Sequence, residues 1–234
     1  MNLTTAVALV TGGSSGIGQG IAEALVAAGA KVAITGRNQA KLEAAAKAMG
    51  AHPILADSSK EPDAKRAIAE VVAKFGDLDI LVNNAGLGVF KPLLEMDLEG
   101  FRKDLRHQCH RSHAHGREAA KHFVTRKKGN IVNIGSTASH RGAPNGTAYY
   151  ATKFALRGMT ECWRAELRKF NIRVMLVNPS EVVTNFGAAA GFETKDNPSK
   201  LRPEDFGHAV RGILEMNDRG FTTELTVFAT NPVD

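Results

Sequence analysis

At 234 residues and 43% hydrophobic content the chain can bury one good core, and its longest apolar runs are strand-sized, which excludes a bilayer-spanning helix. Two cysteines, Cys109 and Cys162, exclude a disulfide framework and suit a reducing cytosol, and the N-terminus lacks a basic segment followed by a signal-like apolar core. The net charge of +6 is scattered among acidic residues without interleaved aromatics, so it reads as a solvated surface and not as a nucleic-acid groove.

In chain order, the first element is the apolar run Ala6-Val7-Ala8-Leu9-Val10-Thr11, of the kind that forms a buried parallel strand. Gly12-Gly13-Ser14-Ser15-Gly16-Ile17-Gly18 follows directly, then a helix-like stretch ended by Gly29. Such a turn lets the backbone approach a pyrophosphate and aims free N–H groups and the positive helix end at that anion. The plain alternative is an ordinary strand-to-helix connection. Strands are predicted over 6–11, 31–36, 52–57, 78–83, 130–135, 172–178 and 224–229, and helices over 17–28, 38–49, 61–75, 98–125, 148–169 and 203–216. Strict alternation of this kind marks a parallel sheet with helices on both faces. No repeat, linker or low-complexity tract interrupts it. A single α/β domain over 1–234, doubly wound and Rossmann-like with about seven strands, is therefore expected. Residues 185–200 are rich in Gly, Ala and Asn, lack periodicity and follow the sixth strand at the sheet's carboxyl edge, so they read as a substrate lid.

Tyr149 and Lys153 lie four residues apart in the predicted helix Ala148-Tyr149-Tyr150-Ala151-Thr152-Lys153, which puts both side chains on one face. An ammonium beside a phenol favours the phenolate, so the Tyr149 pKa is expected to fall and the hydroxyl to serve as a general acid/base. Tyr150 lacks the i,i+4 relation to Lys153. An isolated Y-x-x-x-K is usually an ordinary amphipathic helix, and it gains meaning from the rest of the chain. Thr11-Gly12-x-x-x-Gly16-x-Gly18, Asn83-Asn84-Ala85-Gly86, Ser136 thirteen residues before Tyr149, and Pro179-Ser180-Glu181-Val182-Val183-Thr184 occur in that order. Together they resemble the short-chain dehydrogenase/reductase family from Val7 to about Phe228, with Ser180 where the family has a glycine.

The resemblance implies hydride exchange between a nicotinamide and a ketone or secondary alcohol. Tyr149 would move the proton, Ser136 would hold and polarise the oxygen, and Lys153 would bind the nicotinamide ribose. The cofactor turn would comprise Thr11, Gly12, Ser14, Ser15, Gly16, Ile17 and Gly18. Asn83, Ala85 and Gly86 would follow the fourth strand, Asp57 would contact the adenine, and Pro179, Val182 and Thr184 would clamp the carboxamide. The choice of cofactor follows from charge. NAD-selective sites place a carboxylate at the end of the second strand, where this chain reads Ala33-Ile34-Thr35-Gly36-Arg37. Arg37 can pair a 2′-phosphate bidentately, so NADP is expected, with Asn38 assisting; an Arg capping the next helix is the plain alternative.

One stretch departs from the family. Leu105-Arg106-His107-Gln108-Cys109-His110-Arg111-Ser112-His113-Ala114-His115-Gly116-Arg117 replaces a largely apolar helix with a V-N-x-x-G element, and Gln108 takes the place of the Asn in the proton relay. One methylene longer, the Gln either holds the relay water or misses it. Four His and one Cys between His107 and His115 invite a metal reading, but the surrounding motifs describe a metal-independent reaction, so no metal is expected. Family agreement resumes at Arg117-Glu118-Ala119-Ala120, and bounds this sharp fit either real divergence or a local shift of reading frame. A cytoplasmic homodimer or homotetramer acting on a small carbonyl or alcohol substrate is expected, with no nucleic-acid or membrane partner. 3-Oxoacyl-type and general ketone reduction both stay open. An NADP(H)-binding redox sensor or scaffold without turnover is the alternative.

Overall fold

The computed structural model describes residues 1–184, 186–189 and 197–230. Seven strands form one all-parallel sheet: β1 (Val7–Val10), β2 (Lys31–Gly36), β3 (His52–Leu55), β4 (Ile80–Asn83), β5 (Gly129–Ile134), β6 (Ile172–Pro179) and β7 (Glu224–Val227). Their spatial order is β3-β2-β1-β4-β5-β6-β7. Helices α1 (Gly16–Ala27), α2 (Gln39–Met49), α3 (Glu61–Phe75), α4 (Leu98–Arg126), α5 (Thr147–Leu167), α6 (Phe186–Ala189) and α7 (Pro203–Glu215) connect or follow them.

The inner strands β1, β4, β5 and β6 are buried along their whole length; β1 accordingly reads as an apolar run, while β5 and β6 also bury Asn130, Asn133, Arg173 and Asn178. Two clusters flank the sheet. Ile21, Leu25, Phe206 and Val210 pack α1 and α7 on one face, and Val71, Ala119 and Phe123 pack α3 and α4 on the other. The chain leaves β1 in one direction to build β2 and β3 and returns to place β4 on β1's other side. That reversal opens a crevice beyond the carboxyl ends of β1 and β4, where doubly wound sheets bind ligands.

The predicted elements differ from these only at their ends. β3 stops at Leu55 because the Asp57 N–H turns away to donate to the Asp63 carboxylate at 2.8 Å. Pro53, without an N–H to give, sits in β3 at the sheet's edge, where it costs no ladder bond on the outer side. Helix α5 ends at Leu167, and a 3-10 turn, Arg168–Phe170, carries the chain to Asn171 at φ 59°. Within the segment read as a lid, Phe186–Ala189 form a short helix, and residues 185 and 190–196 lie outside the described residues. Among the described residues no helix is long and apolar enough to cross a membrane.

Candidate active site

A cleft of about 660 Å³ lies at the carboxyl edge of the sheet. The turn after β1 forms its floor. Gly12 and Gly16 adopt φ of 66° and 55°, which L side chains rarely take. At Gly18 any side chain would be stopped, since a Cβ would come within 2.5 Å of both the Asn84 amide and the Gly12 carbonyl oxygen. Ser15 occupies the N-cap of α1 without capping it through its side chain, and no acid lies in the first turn. The first N–H groups of α1 therefore face the cleft with the helix dipole behind them, an arrangement suited to a pyrophosphate.

Gly12, Ser14, Ser15, Gly16 and Ile17 line the cleft, as do Arg37, Asn38, Asp57, Ala85, Gly86, Tyr149, Lys153, Pro179, Val182 and Thr184. Three of the expected cofactor residues do not. The Thr11 hydroxyl is buried, donating to the Val82 carbonyl and accepting the Asn84 and Ala85 N–H groups, so it fixes the turn after β4 against β1. Gly18 gives the room for that turn. Asn83 is also buried, its amide donating to Asn133 Oδ1 at 2.9 Å. The neighbouring Asn84 takes the lining position, its Nδ2 donating to the Thr11 carbonyl at 3.0 Å. The N-N-A-G motif could not tell the two amides apart, because strand phase decides which one points out.

At the end of the cleft beyond β2, Arg37 is exposed and makes no hydrogen bond or ion pair among the described residues. Asn38 caps α2, its Oδ1 accepting the Lys41 N–H at 3.0 Å. Burial pushes the Asp57 carboxyl up, but the Ser59 N–H and hydroxyl, with Arg111 and Arg37, outweigh it and hold Asp57 below the usual carboxylate range. Arg111, unforeseen as a site residue, lines the same end and is 5% exposed, and its Nε has no partner. Burial and the nearby Arg37 lower its pKa, against Asp57 and Asp104.

The other end of the cleft holds Ser136, Tyr149 and Lys153 together. β5 delivers Ser136 just past Ile134, and α5 carries the other two on one face. The Ser136 hydroxyl lies close enough to the Tyr149 phenol to favour its phenolate, and Lys153 Nζ lies 5.6 Å from the Tyr149 ring centre. Lys153 Nζ also donates to the Ile134 carbonyl at 3.1 Å. One expectation is corrected here. The Tyr149 pKa is not lowered but pushed up to about 12, because burial outweighs the Ser136 hydrogen bond, while Tyr150 and Asp104 push it further. The same burial brings Lys153 down to about 8 against the pull of Asp104 and Cys109. Both groups share one desolvated pocket, so each resists its charged form.

Ser136 is held from behind. Its N–H is shared between Ser139 Oγ and Asn178 Oδ1, both at 3.3 Å, and its hydroxyl accepts the Ala138 N–H at 3.1 Å. The Asn178 amide is oriented by donating to Glu224 Oε1 at 2.7 Å, and His140 Nε2 meets the same carboxylate at 2.7 Å. Glu224→Ala should leave the Asn178 amide only its 3.0 Å contact with His140 Nε2 and lower kcat about tenfold, with Glu224→Gln, which keeps an acceptor, close to wild type. Equal losses in both variants would show that the carboxylate's charge, and not its acceptor, matters.

Gln108 is buried at the edge of a second, smaller cavity of about 10 Å³, roughly one water, together with Asn84, Ser112, Thr152 and Lys153. Its Nε2 has no partner. Four of the five such buried orphan atoms among the described residues, on Asp104, Gln108, Arg111 and His115, lie along one stripe of α4. The cluster between His107 and His115 is spread around the helix by its 100° step, with His110 and His113 outward and His115 inward. Among the described residues no three His, Cys, Asp or Glu side chains are gathered as a metal would need.

This doubly wound sheet, with a glycine turn at its reversal point and a hydroxyl, phenol and amine beside it, is the framework of a dinucleotide-dependent oxidoreductase. Comparison with known proteins makes the assignment specific. The sequence pattern of the family described as short chain dehydrogenase matches residues 6–194, and the chain belongs to that family. It is 33% identical over 229 residues to an L-xylulose reductase of Homo sapiens, covering 94% of this chain and 92% of that one. A 3-ketoacyl-(acyl-carrier-protein) reductase from Brucella melitensis, solved with NADH, superposes with a TM-score of 0.89 at 31% identity, covering 96% and 97%. An alcohol dehydrogenase from Thermococcus sibiricus, solved with 5-hydroxy-NADP, does so at 0.87 and 28% identity, covering 98% and 99%.

Proposed function

We propose that this chain is an NADP(H)-dependent reductase of ketones, with Tyr149 as the proton donor. The observation that carries the reading is the convergence of Ser136, Tyr149 and Lys153 at one end of a cleft whose other end carries Arg37 and Arg111. The glycine turn with Ser14, Ser15 and Ile17 suits the pyrophosphate, Asp57 the adenine side, and Pro179, Val182 and Thr184 the carboxamide. Gly16 and Thr184 face each other across the cleft, a Cβ on Gly16 coming within 3.3 Å of Thr184 Cγ2. Two guanidinium groups and no unpaired acid at the end of β2 favour a cofactor bearing a 2′-phosphate.

The bound nicotinamide supplies the hydride for the carbonyl carbon. Ser136 donates a hydrogen bond to the carbonyl oxygen as negative charge gathers there, and Tyr149 gives that oxygen its proton. A phenol held protonated up to about pH 12 is well stocked for reduction at neutral pH. Lys153 keeps the pocket electropositive while it is charged. Gln108, aimed at the one-water cavity beside Lys153, holds the water through which Tyr149 is reprotonated.

The sign of the pH dependence follows. Lys153 is charged below about pH 8 and neutral above it, whereas Tyr149 keeps its proton until the pH nears about 12. kcat/KM for ketone reduction should be level below about pH 8 and fall above it, and alcohol oxidation should instead rise towards high pH, where the phenolate forms. A reduction profile that stays level well above pH 8 would contradict this. Absorbance of NADPH, followed against a panel of ketones, tests the activity itself; consumption that depends on the ketone is the expected result.

A further inference from the structure

We infer that the reacting end of the cleft takes a ketone carried on an apolar, ring-sized body, alicyclic or aryl, in preference to a polyhydroxylated or anionic one. The inference rests on the reading of Ser136, Tyr149 and Lys153 as the hydride-transfer site. Three rings surround the phenol. Phe90 lies 4.9 Å from the Tyr149 ring centre at an interplanar angle of 39°, Phe186 at 5.8 Å and 53°, and Tyr150 at 5.9 Å and 88°. All of them line the cleft, with Leu87 beside them. The loop after β4 is pressed against these rings. A Cβ at Gly88 would come within 2.9 Å of Phe90, Phe186 and Tyr149, so the backbone itself closes one wall of the pocket.

Among the described lining residues at this end, the hydroxyls that make no hydrogen bond are those of Thr137, Tyr150 and Ser180. The Ser136 hydroxyl and the Tyr149 phenol are committed to the carbonyl oxygen, and Thr184 Oγ1 accepts the Phe186 N–H at 3.2 Å. A polyol bound here would lay most of its further hydroxyls against the faces of Phe90, Phe186 and Tyr149, where they are desolvated. Charge discriminates in the same direction. Among the described lining residues, Arg37 and Lys41 stand at the end of β2 near Asp57, Arg111 reaches from α4 towards Arg37 and Asp57, and Lys153 donates inward to Ile134. The acid at the reacting end, Glu181, is paired with Lys200 at 2.6 Å. A substrate carboxylate or phosphate would meet aromatic edges and a carboxylate there and, among the described lining residues of this end, no cation but Lys153, which is turned to the Ile134 carbonyl. An alicyclic or aryl ketone would instead find ring faces at stacking distance.

The test is NADPH-dependent reduction of a substituted cyclohexanone, an acetophenone, a ketopentose and acetoacetyl-CoA by the intact protein. kcat/KM for the first two should exceed that for the ketopentose by about tenfold or more. Phe90→Ala and Phe186→Ala should each raise KM for the acetophenone by about tenfold and leave NADPH affinity unchanged, and Phe90→Leu, which keeps the apolar bulk, should keep most of the preference. A ketopentose or a thioester as the better substrate would overturn this inference alone. So would alanine variants that weaken all four substrates equally. A protein that binds NADPH and turns over none of the four would overturn the hydride-transfer reading, and this inference with it.

Discussion

Tyr149→Phe is expected to lower ketone turnover by about 10³-fold, roughly 4 kcal/mol of barrier, while NADPH binds nearly as it does to the wild type. The substitution keeps the ring that packs against Phe90 and Tyr150 and removes only the hydroxyl. Ser136 would still hold the carbonyl oxygen, but the negative charge on it would find no proton within reach. Steady-state kinetics together with NADPH fluorescence titration reads both effects. Substantial residual turnover would mean that another group gives the proton, and the adjacent Tyr150 would be the first to examine, since it too lines the cleft.

The second large effect is on the choice of cofactor. Arg37→Asp places a carboxylate where the exposed guanidinium now stands at the end of β2. A lost charge-assisted hydrogen bond costs about 1.5–3 kcal/mol, and like-charge repulsion adds to it. KM for NADPH should rise by about 10²-fold, with KM for NADH little changed. Arg111 would temper the loss if its guanidinium also reaches the phosphate, and the double variant with Arg111→Leu would then lose more than Arg37→Asp alone. Equal losses for NADPH and NADH would reject the role of Arg37.

Most of the scaffold could be read from the chain because its signals are local. Short apolar runs mark β1 and most of β4, and glycines that end helices mark the boundaries, as Gly50 and Gly76 do at φ of 79° and 86°. The Tyr149 to Lys153 spacing is equally local, since one helical turn sets it. What could not be read depends on depth. Whether Asn83 or Asn84 faces the cleft is a matter of strand phase at β4's end. The upward shift at Tyr149 comes from burial under rings that lie 59 residues before it (Phe90) and 37 after it (Phe186), which no neighbouring residue announces.

Helix α4 is where sequence pattern and structure disagree most. The fold puts it against α3, α5 and β4, and its buried face there carries Asp104, Gln108, Arg111 and His115, each with an orphan polar atom. Each such atom costs about 1–3 kcal/mol where nothing outside the chain satisfies it. Dinucleotide binding offers Arg111 a partner and a trapped water offers Gln108 one, but His115 Nε2 gains nothing from either. A stretch translated from a shifted frame would carry unpaired polar groups on a core-facing stripe in this way. Peptide masses across 105–117 that match this sequence establish real divergence, and masses that match a frame-shifted translation of the coding DNA establish the shift.

The most direct test is a single turnover with NADPH deuterated at the transferring position and an acetophenone as acceptor, analysed by mass spectrometry of the product. Deuterium on the carbinol carbon, formed by the wild type and lost in Tyr149→Phe, is the predicted outcome. Bound cofactor that stays reduced before every ketone offered would leave a nucleotide-binding protein without chemistry, and would contradict the assignment of Ser136, Tyr149 and Lys153.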